Sequence, residues 1–187
     1  MRAFIAIEIP EENKNEMAEV QRHLKGSGVD ASWTRAEGMH LTLKFLGEVP
    51  ETEVLEIMNA LTSTVRSPTG LRINIAGIGA FPDQKNARVV WAGIAGDVEK
   101  LSMLQVAVEE AMAGLGFERE KRTFSPHLTL GRIKHIHARD RWLKSLDGIK
   151  ALELPAFEVN AVSLMKSELK PAGAVYTEMG RLKLTRG

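Results

Sequence analysis

The chain has 187 residues, 44% hydrophobic and 26% charged, with a formal net charge of +1. That is enough apolar material for one core or two small lobes, and the charge balance neither demands nor excludes a polyanionic partner. Cysteine is absent, which excludes thiolate nucleophiles, disulfides and thiolate metal sites.

The opening MRAFIAIEIP is too short an apolar run for a signal peptide, and Glu8 interrupts it. No stretch approaches the roughly 18 apolar residues of a membrane helix, so a cytoplasmic protein without membrane association is expected. Residues 3–9 are rich in Ile and alternate as a strand does. Pro10 and the acidic pair Glu11–Glu12 then open a helix that runs to about Lys25 and stops at Gly26-Ser27-Gly28. A short strand is predicted over residues 32–34, and a stronger one over 40–46, ended by Gly47. Residues 51–65 read as an amphipathic helix, with Val54, Ile57, Met58 and Leu61 on one face. The alternation over 71–80 predicts a strand, followed by a turn at Phe81-Pro82-Asp83.

The pattern then restarts. A strand over 88–94 leads into a long helix over 97–113, with Leu101, Leu104, Val108 and Met112 at helical spacing. A strand over 126–133, a short helix over 138–146, and strands over 156–166 and 174–184 complete the chain. The two halves can be overlaid by placing Arg2 on Arg88; from Arg2 to His40 is 38 residues and from Arg88 to His127 is 39. We read an internal duplication within a single domain, residues 1–187, whose lobe-forming repeats cover about 1–82 and 88–187. The fold class is α+β: two similar lobes related by pseudo-twofold symmetry, with antiparallel sheets flanking a central cleft and helices outside. A parallel doubly wound fold ranks second, because the strands are short and amphipathic rather than wholly apolar.

The tetrapeptide His-Leu-Thr-Leu occurs twice, at residues 40–43 and 127–130, in a chain with only five histidines. Side chains at i and i+2 of a strand share a face. Each copy therefore aims a His and a Thr at one surface and two Leu at a core. Two such strands side by side present two imidazoles and two hydroxyls, a set suited to acid–base chemistry on an anionic group. By the same period of two, Lys44 shares the face of His40 and Thr42, whereas Phe45 packs in the core. Trp33, Trp91 and Tyr176, the last following a Lys170-Pro-Ala-Gly turn, are candidates for stacking a nucleobase, with structural roles favoured. His135 and His137 form an HxH pair, but Lys134 and Arg139 surround it with like charge and it reads as a solvated loop. Lys121–Arg122 ahead of the second copy is either a solvated loop or an attractor of phosphates.

Paired HxTx motifs separated by about half a small chain resemble the 2H phosphoesterase superfamily. The segments 2–9 (RAFIAIEI), 40–49 (HLTLKFLGEV), 124–132 (FSPHLTLGR) and 163–176 (SLMKSELKPAGAVY) are closer still to its RNA 2′,3′-cyclic phosphodiesterase branch, the 2′-5′ RNA ligase-like proteins. The resemblance implies two lobes about a central cleft. It further implies metal-independent opening of a terminal 2′,3′-cyclic phosphate to a 2′-phosphate, possible reversal as 2′-5′ ligation, and no metal or other cofactor. It implies His40 as proton donor to the leaving oxygen and His127 as acceptor from water. Thr42 and Thr129 would donate hydrogen bonds to phosphate oxygens, and Arg132 could pair with a phosphate. The expected partner is RNA with a 2′,3′-cyclic phosphate end. No obligate protein partner is expected, and a monomer should hold the whole site. The alternatives are a 2H enzyme for another cyclic or 2′-5′-linked nucleotide, a non-catalytic RNA-binding or ligand-binding module, and a metal hydrolase.

Overall fold

Both copies of His-Leu-Thr-Leu begin a strand. In the computed structural model, which describes residues 1–65, 70–170 and 173–184, the elements in chain order are β1 (Arg2–Glu8), α1 (Glu11–Lys25), β2 (Val29–Trp33), β3 (His40–Glu48), α2 (Val54–Thr64), β4 (Arg72–Phe81), β5 (Val89–Gly96), α3 (Val98–Gly114), β6 (His127–Ile136), α4 (Arg139–Asp147), β7 (Phe157–Glu158), β8 (Ala161–Lys170) and β9 (Gly173–Lys183). Residues 171 and 172 of the Lys170-Pro-Ala-Gly turn lie outside the described residues.

The strands form a four-stranded sheet of order β3-β1-β8-β9 and a five-stranded sheet of order β2-β6-β5-β4-β7. Each strand pair is antiparallel, so the fold is α+β and the doubly wound alternative does not apply. Each helix buries one apolar stripe. Met17, Val20 and Leu24 do so on α1, and Leu101, Leu104, Val108 and Met112 on α3. Helix α3 lies against β3 and α2 against β9, while α1 lies against β2 and α4. One apolar core joins the helices to one face of each sheet, with Ile5, Ile7, Leu41, Leu128 and Leu130 in it. The opposite face of the first sheet carries a separate small cluster, Phe4, Ala6 and Met165, with Tyr176 against it. Strands β3 and β6, which carry the two motifs, approach each other.

The halves of the chain exchange strands. β4 follows α2 in the first half yet pairs with β5, and β8 follows α4 in the second half yet pairs with β1. The orders β3-β1-β8 and β6-β5-β4 are therefore equivalent: motif strand, first strand of the half, and a strand contributed by the other half. Register sharpens the overlay. Glu8 pairs with His40 and Gly93 with His127, so Arg88 corresponds to Ala3, one residue away from the overlay on Arg2.

One expected element is divided. Residues 156–166 read as a single strand, but β7 joins β4 in one sheet and β8 joins β1 in the other. Between them the Val159 N–H donates to the Leu71 carbonyl at 2.9 Å, and the Asn160 carbonyl accepts from the Leu184 N–H at 2.8 Å. Apolar residues continue through the crossing, so periodicity alone does not mark it. Among the described residues no helix is long and apolar enough to cross a membrane.

The motif leucines carry stability rather than chemistry. Leu41 and Leu128 are both fully buried, so Leu41→Ala and Leu128→Ala should each lower the free energy of unfolding by about 2–5 kcal/mol. Urea titration followed by circular dichroism measures this, and a loss under about 1 kcal/mol would contradict their burial.

Candidate active site

Strict alternation fails at the same place in each motif strand, directly after the motif threonine, and β3 has a second irregularity against β1 at Leu46. In β3 the partners of β1 step from Thr42 to Lys44, leaving Leu43 as an extra residue. In β6 the partners of β5 step from Thr129 to Gly131, leaving Leu130 extra. Such a bulge shifts the phase of every later side chain. Burial shows the phase change as two consecutive buried positions in each strand, Leu43–Lys44 and Leu130–Gly131.

The bulge reverses the expected placement of Lys44 and Phe45. Lys44 turns to the helix side, where its Nζ donates to Glu109 Oε2 at 2.8 Å and to the Glu118 carbonyl at 2.9 Å. Lysine and carboxylate are nearly sealed from solvent, at 2% and 10% side-chain exposure. Removing either partner would leave a buried charge uncompensated, the costly case for such pairs. Phe45 instead turns onto the face of His40, opposite Phe4, with ring centroids 6.1 Å apart. It is 72% exposed, a large aromatic surface standing in water beside the motif. In the second strand the residue after the bulge is Gly131, where a Cβ would lie 2.9 Å from the Trp33 ring. Trp33 therefore covers the helix side of β6 and is not on the motif face. Arg132, the counterpart of Phe45, emerges exposed on the face of His127 and Thr129.

The two histidines have different surroundings. His40 is 8% exposed and packed by rings: Phe4 at 5.8 Å and Tyr176 at 5.3 Å, both edge-on. Burial holds its pKa below the ordinary imidazole value. The Gly38 carbonyl raises it in part, Lys14 lowers it further and Glu8 opposes Lys14. The Gly38 contact does not close a hydrogen bond, however, and Nδ1 is buried without a partner. His127 is more open. Its Nδ1 lies 2.7 Å from the Ser125 carbonyl. A carbonyl only accepts, so Nδ1 carries the hydrogen and Nε2 is the nitrogen left to accept a proton. Phe81 packs edge-on against His127 at 5.4 Å and lies 5.1 Å from Trp91, which rests over Gly79.

The structure thus brings His40, Thr42 and Phe45 onto one open face and His127, Thr129 and Arg132 onto the other, on strands that approach each other. Tyr176 and Trp91 sit on these faces, packed against neighbouring rings. Beyond His40, Arg181 donates to Glu8 Oε2 at 2.6 Å and to Glu178 Oε2 at 3.2 Å, and Ser163 also donates to Glu178. Two carboxylates already occupy that guanidinium. The rings of His135 and His137 lie 4.5 Å apart. Among the described residues no group of three or more His, Asp or Glu is arranged to hold a metal ion. Lys121 and Arg122 are exposed. Phe45 escaped period-two reasoning, but the sequence carries the signal. The apolar positions advance by three, from Leu43 to Leu46 and from Leu130 to Ile133, where an unbroken strand would advance by two.

Comparison with known proteins is consistent along the whole chain. The family described as LigT-like phosphoesterase matches residues 7–91 and 94–176. An RNA 2′,3′-cyclic phosphodiesterase of Methanothermobacter thermautotrophicus is 35% identical, over 98% of this chain and 99% of that protein. One of the same name from Methanocaldococcus jannaschii is 35% identical, over 94% and 96% respectively. Among solved structures, TT0787 of Thermus thermophilus superposes with a TM-score of 0.78 at 26% identity, covering 98% of both chains. Escherichia coli LigT complexed with 3′-AMP shares the fold, with a TM-score of 0.74 at 24% identity and 98% of both chains covered.

The burial of His40 makes a prediction about stability. Its pKa is lowered on folding, so the unfolded chain takes up the proton first as pH falls. The associated stability is present above about pH 6.5 and is lost as pH drops toward the lower folded value, by at most about 1.4 kcal/mol per pH unit. Denaturant unfolding of wild type and His40→Gln between pH 8 and 5 should show the wild type losing more. Parallel losses would contradict the shift.

Proposed function

The chain belongs to the LigT-like phosphoesterase family, and we propose that it opens RNA 2′,3′-cyclic phosphate ends to 2′-phosphates by a two-histidine acid–base mechanism. The observation that carries this reading is the pair of His/Thr faces on adjoining strands. In-line displacement at phosphorus needs a base on the attacking water and an acid on the leaving 3′-oxygen, on opposite sides of the phosphorus. A duplicated motif supplies such opposition. His127, with Nδ1–H held by a backbone carbonyl, presents Nε2 as the proton acceptor, and His40 protonates the leaving oxygen. Thr42 and Thr129 donate to the equatorial oxygens, and Arg132 pairs with the phosphate. Phe45, exposed beside His40, offers a face on which a nucleobase stacks. The names of the relatives point to RNA as substrate, and reversal with a 5′-hydroxyl in place of water would form a 2′-5′ bond at the same site. Both motif strands come from one chain, which supports a monomer complete for catalysis.

The test is an oligoribonucleotide ending in a 2′,3′-cyclic phosphate, incubated with excess chelator and mapped for product. A 2′-phosphate is expected. A 3′-phosphate, or turnover abolished by the chelator, would sink the proposed mechanism. His40→Ala and His127→Ala should each cost about 10²–10⁴-fold in kcat with near-wild-type circular dichroism. In the pH profile of kcat/KM, which reports the free enzyme, the limb set by His40 should lie below pH 6.5. The lower of the two apparent values sets the acidic limb whichever His is acid and whichever base, so an acidic limb at or above pH 6.5 would contradict the lowered pKa of His40.

A further inference from the structure

Two glutamines lie buried on otherwise apolar helix stripes and reach the two bulges. Gln21 of α1 sits between Met17 and Leu24, and Gln105 of α3 between Leu101 and Val108. Gln21 Nε2 donates to the Leu130 carbonyl at 2.8 Å and to the Thr34 carbonyl at 2.7 Å. Gln105 Nε2 donates to the Leu43 carbonyl at 3.4 Å and to Glu109 Oε1, also at 3.4 Å. Leu130 and Leu43 are the extra residues at the matching bulges that directly follow the two motif threonines. The contacts are crossed: the first helix of each half holds the bulge of the other half's motif strand. Both amides are at most 8% exposed, and burying a polar side chain on an apolar stripe is unfavourable unless its bonds are made.

A bulge carbonyl is displaced from the regular ladder. The backbone helps at Leu130, where the Thr34 N–H also donates at 3.0 Å. At Leu43 the neighbouring Lys44–Glu109 pair ties the same stretch to α3, and Glu109 Oε2 also accepts the Glu120 N–H at 3.4 Å. What the bulge determines is which side of the strand the sixth residue, counted from each motif histidine, takes. In one strand that residue is Arg132, in the other Phe45.

We propose that Gln21 and Gln105 are crossed positioning residues. Gln21 seats the bulge that aims Arg132 at the substrate phosphate, and Gln105 seats the bulge that aims Phe45 at the nucleobase. The inference rests on the function proposed above, because it assigns those two contacts to the substrate. Neither glutamine touches the reacting atoms, so each acts through one partner, and the effects separate by background.

The experiment is a set of double-mutant cycles on a nucleoside 2′,3′-cyclic phosphate. It compares wild type, Gln21→Met, Gln105→Met, Arg132→Ala, Phe45→Ala and the four glutamine–contact doubles, with kcat and KM separated and Tm recorded. Methionine keeps length and apolar volume but cannot donate; if a Met variant does not fold, Gln→Asn keeps the amide and falls one methylene short. Gln21→Met should lower kcat/KM about ten-fold, the worth of roughly one buried hydrogen bond. That loss should shrink to under roughly two-fold in the Arg132→Ala background and persist in Phe45→Ala. Gln105→Met should show the reverse pattern, with its loss in KM. Equal losses in both backgrounds, tracking Tm alone, would mean a merely structural role and would overturn the inference while leaving the proposed function standing. A wild-type protein without turnover would overturn both.

Discussion

An extra residue in a strand cannot be absorbed silently, because the neighbouring strand continues to count by two. In this molecule that constraint organises the open faces. Before each bulge, period two sets a His and a Thr side by side. After it, the phase has changed, and the sixth residue counted from each histidine returns to their side although it lies an odd number of steps, five, away. Three side chains per strand are thus gathered on one face within six residues. The helix side must accommodate the position displaced there. One strand supplies Lys44, sealed by Glu109, and the other supplies Gly131, sealed by Trp33. The same backbone event is met with an ion pair on one side and with a ring over a glycine on the other.

Symmetry of backbone does not carry over to chemistry. His40 sits among Phe4 and Tyr176, and burial discourages its charged form, whereas His127 is open and anchored through Nδ1. A duplicated motif would otherwise give two interchangeable imidazoles. Hydrolysis needs one that gives a proton and one that takes it, and unlike environments are how proteins differentiate identical groups. The residues around the two histidines differ as well. Phe45 corresponds to Arg132, and Glu8, beside His40, corresponds to Gly93, beside His127.

Much of this was legible in the residues. The repeated tetrapeptide announced the paired His and Thr, and the apolar spacing found the helices and most strands within about three residues. Period two failed at Lys44 and Phe45 because a bulge is a local change of count, visible only as the three-residue step from Leu43 to Leu46. The division of residues 156–166 between two sheets was hidden because both sheets ask the same alternation of the chain. Gln21 and Gln105 were visible as polar interruptions of apolar stripes, but their partners lie 109 and 62 residues away, and sequence periodicity carries no information about such distant contacts.

The exchange of strands also constrains the order in which the molecule can be completed during synthesis. β1 precedes the other strands in the chain and lies in the interior of its sheet, between β3 and β8. β3 follows within 50 residues, but β8 begins only at Ala161. Until then one edge of an apolar strand, Ala3 to Ile7, has no permanent neighbour, the situation in which strands pair with the wrong chain. β8 and β9, which follow the other strands in the chain, complete the sheet that β1 began. A nascent chain stopped between Ile136 and Ala161 therefore holds both motif strands but lacks the completed sheet on which one of them rests.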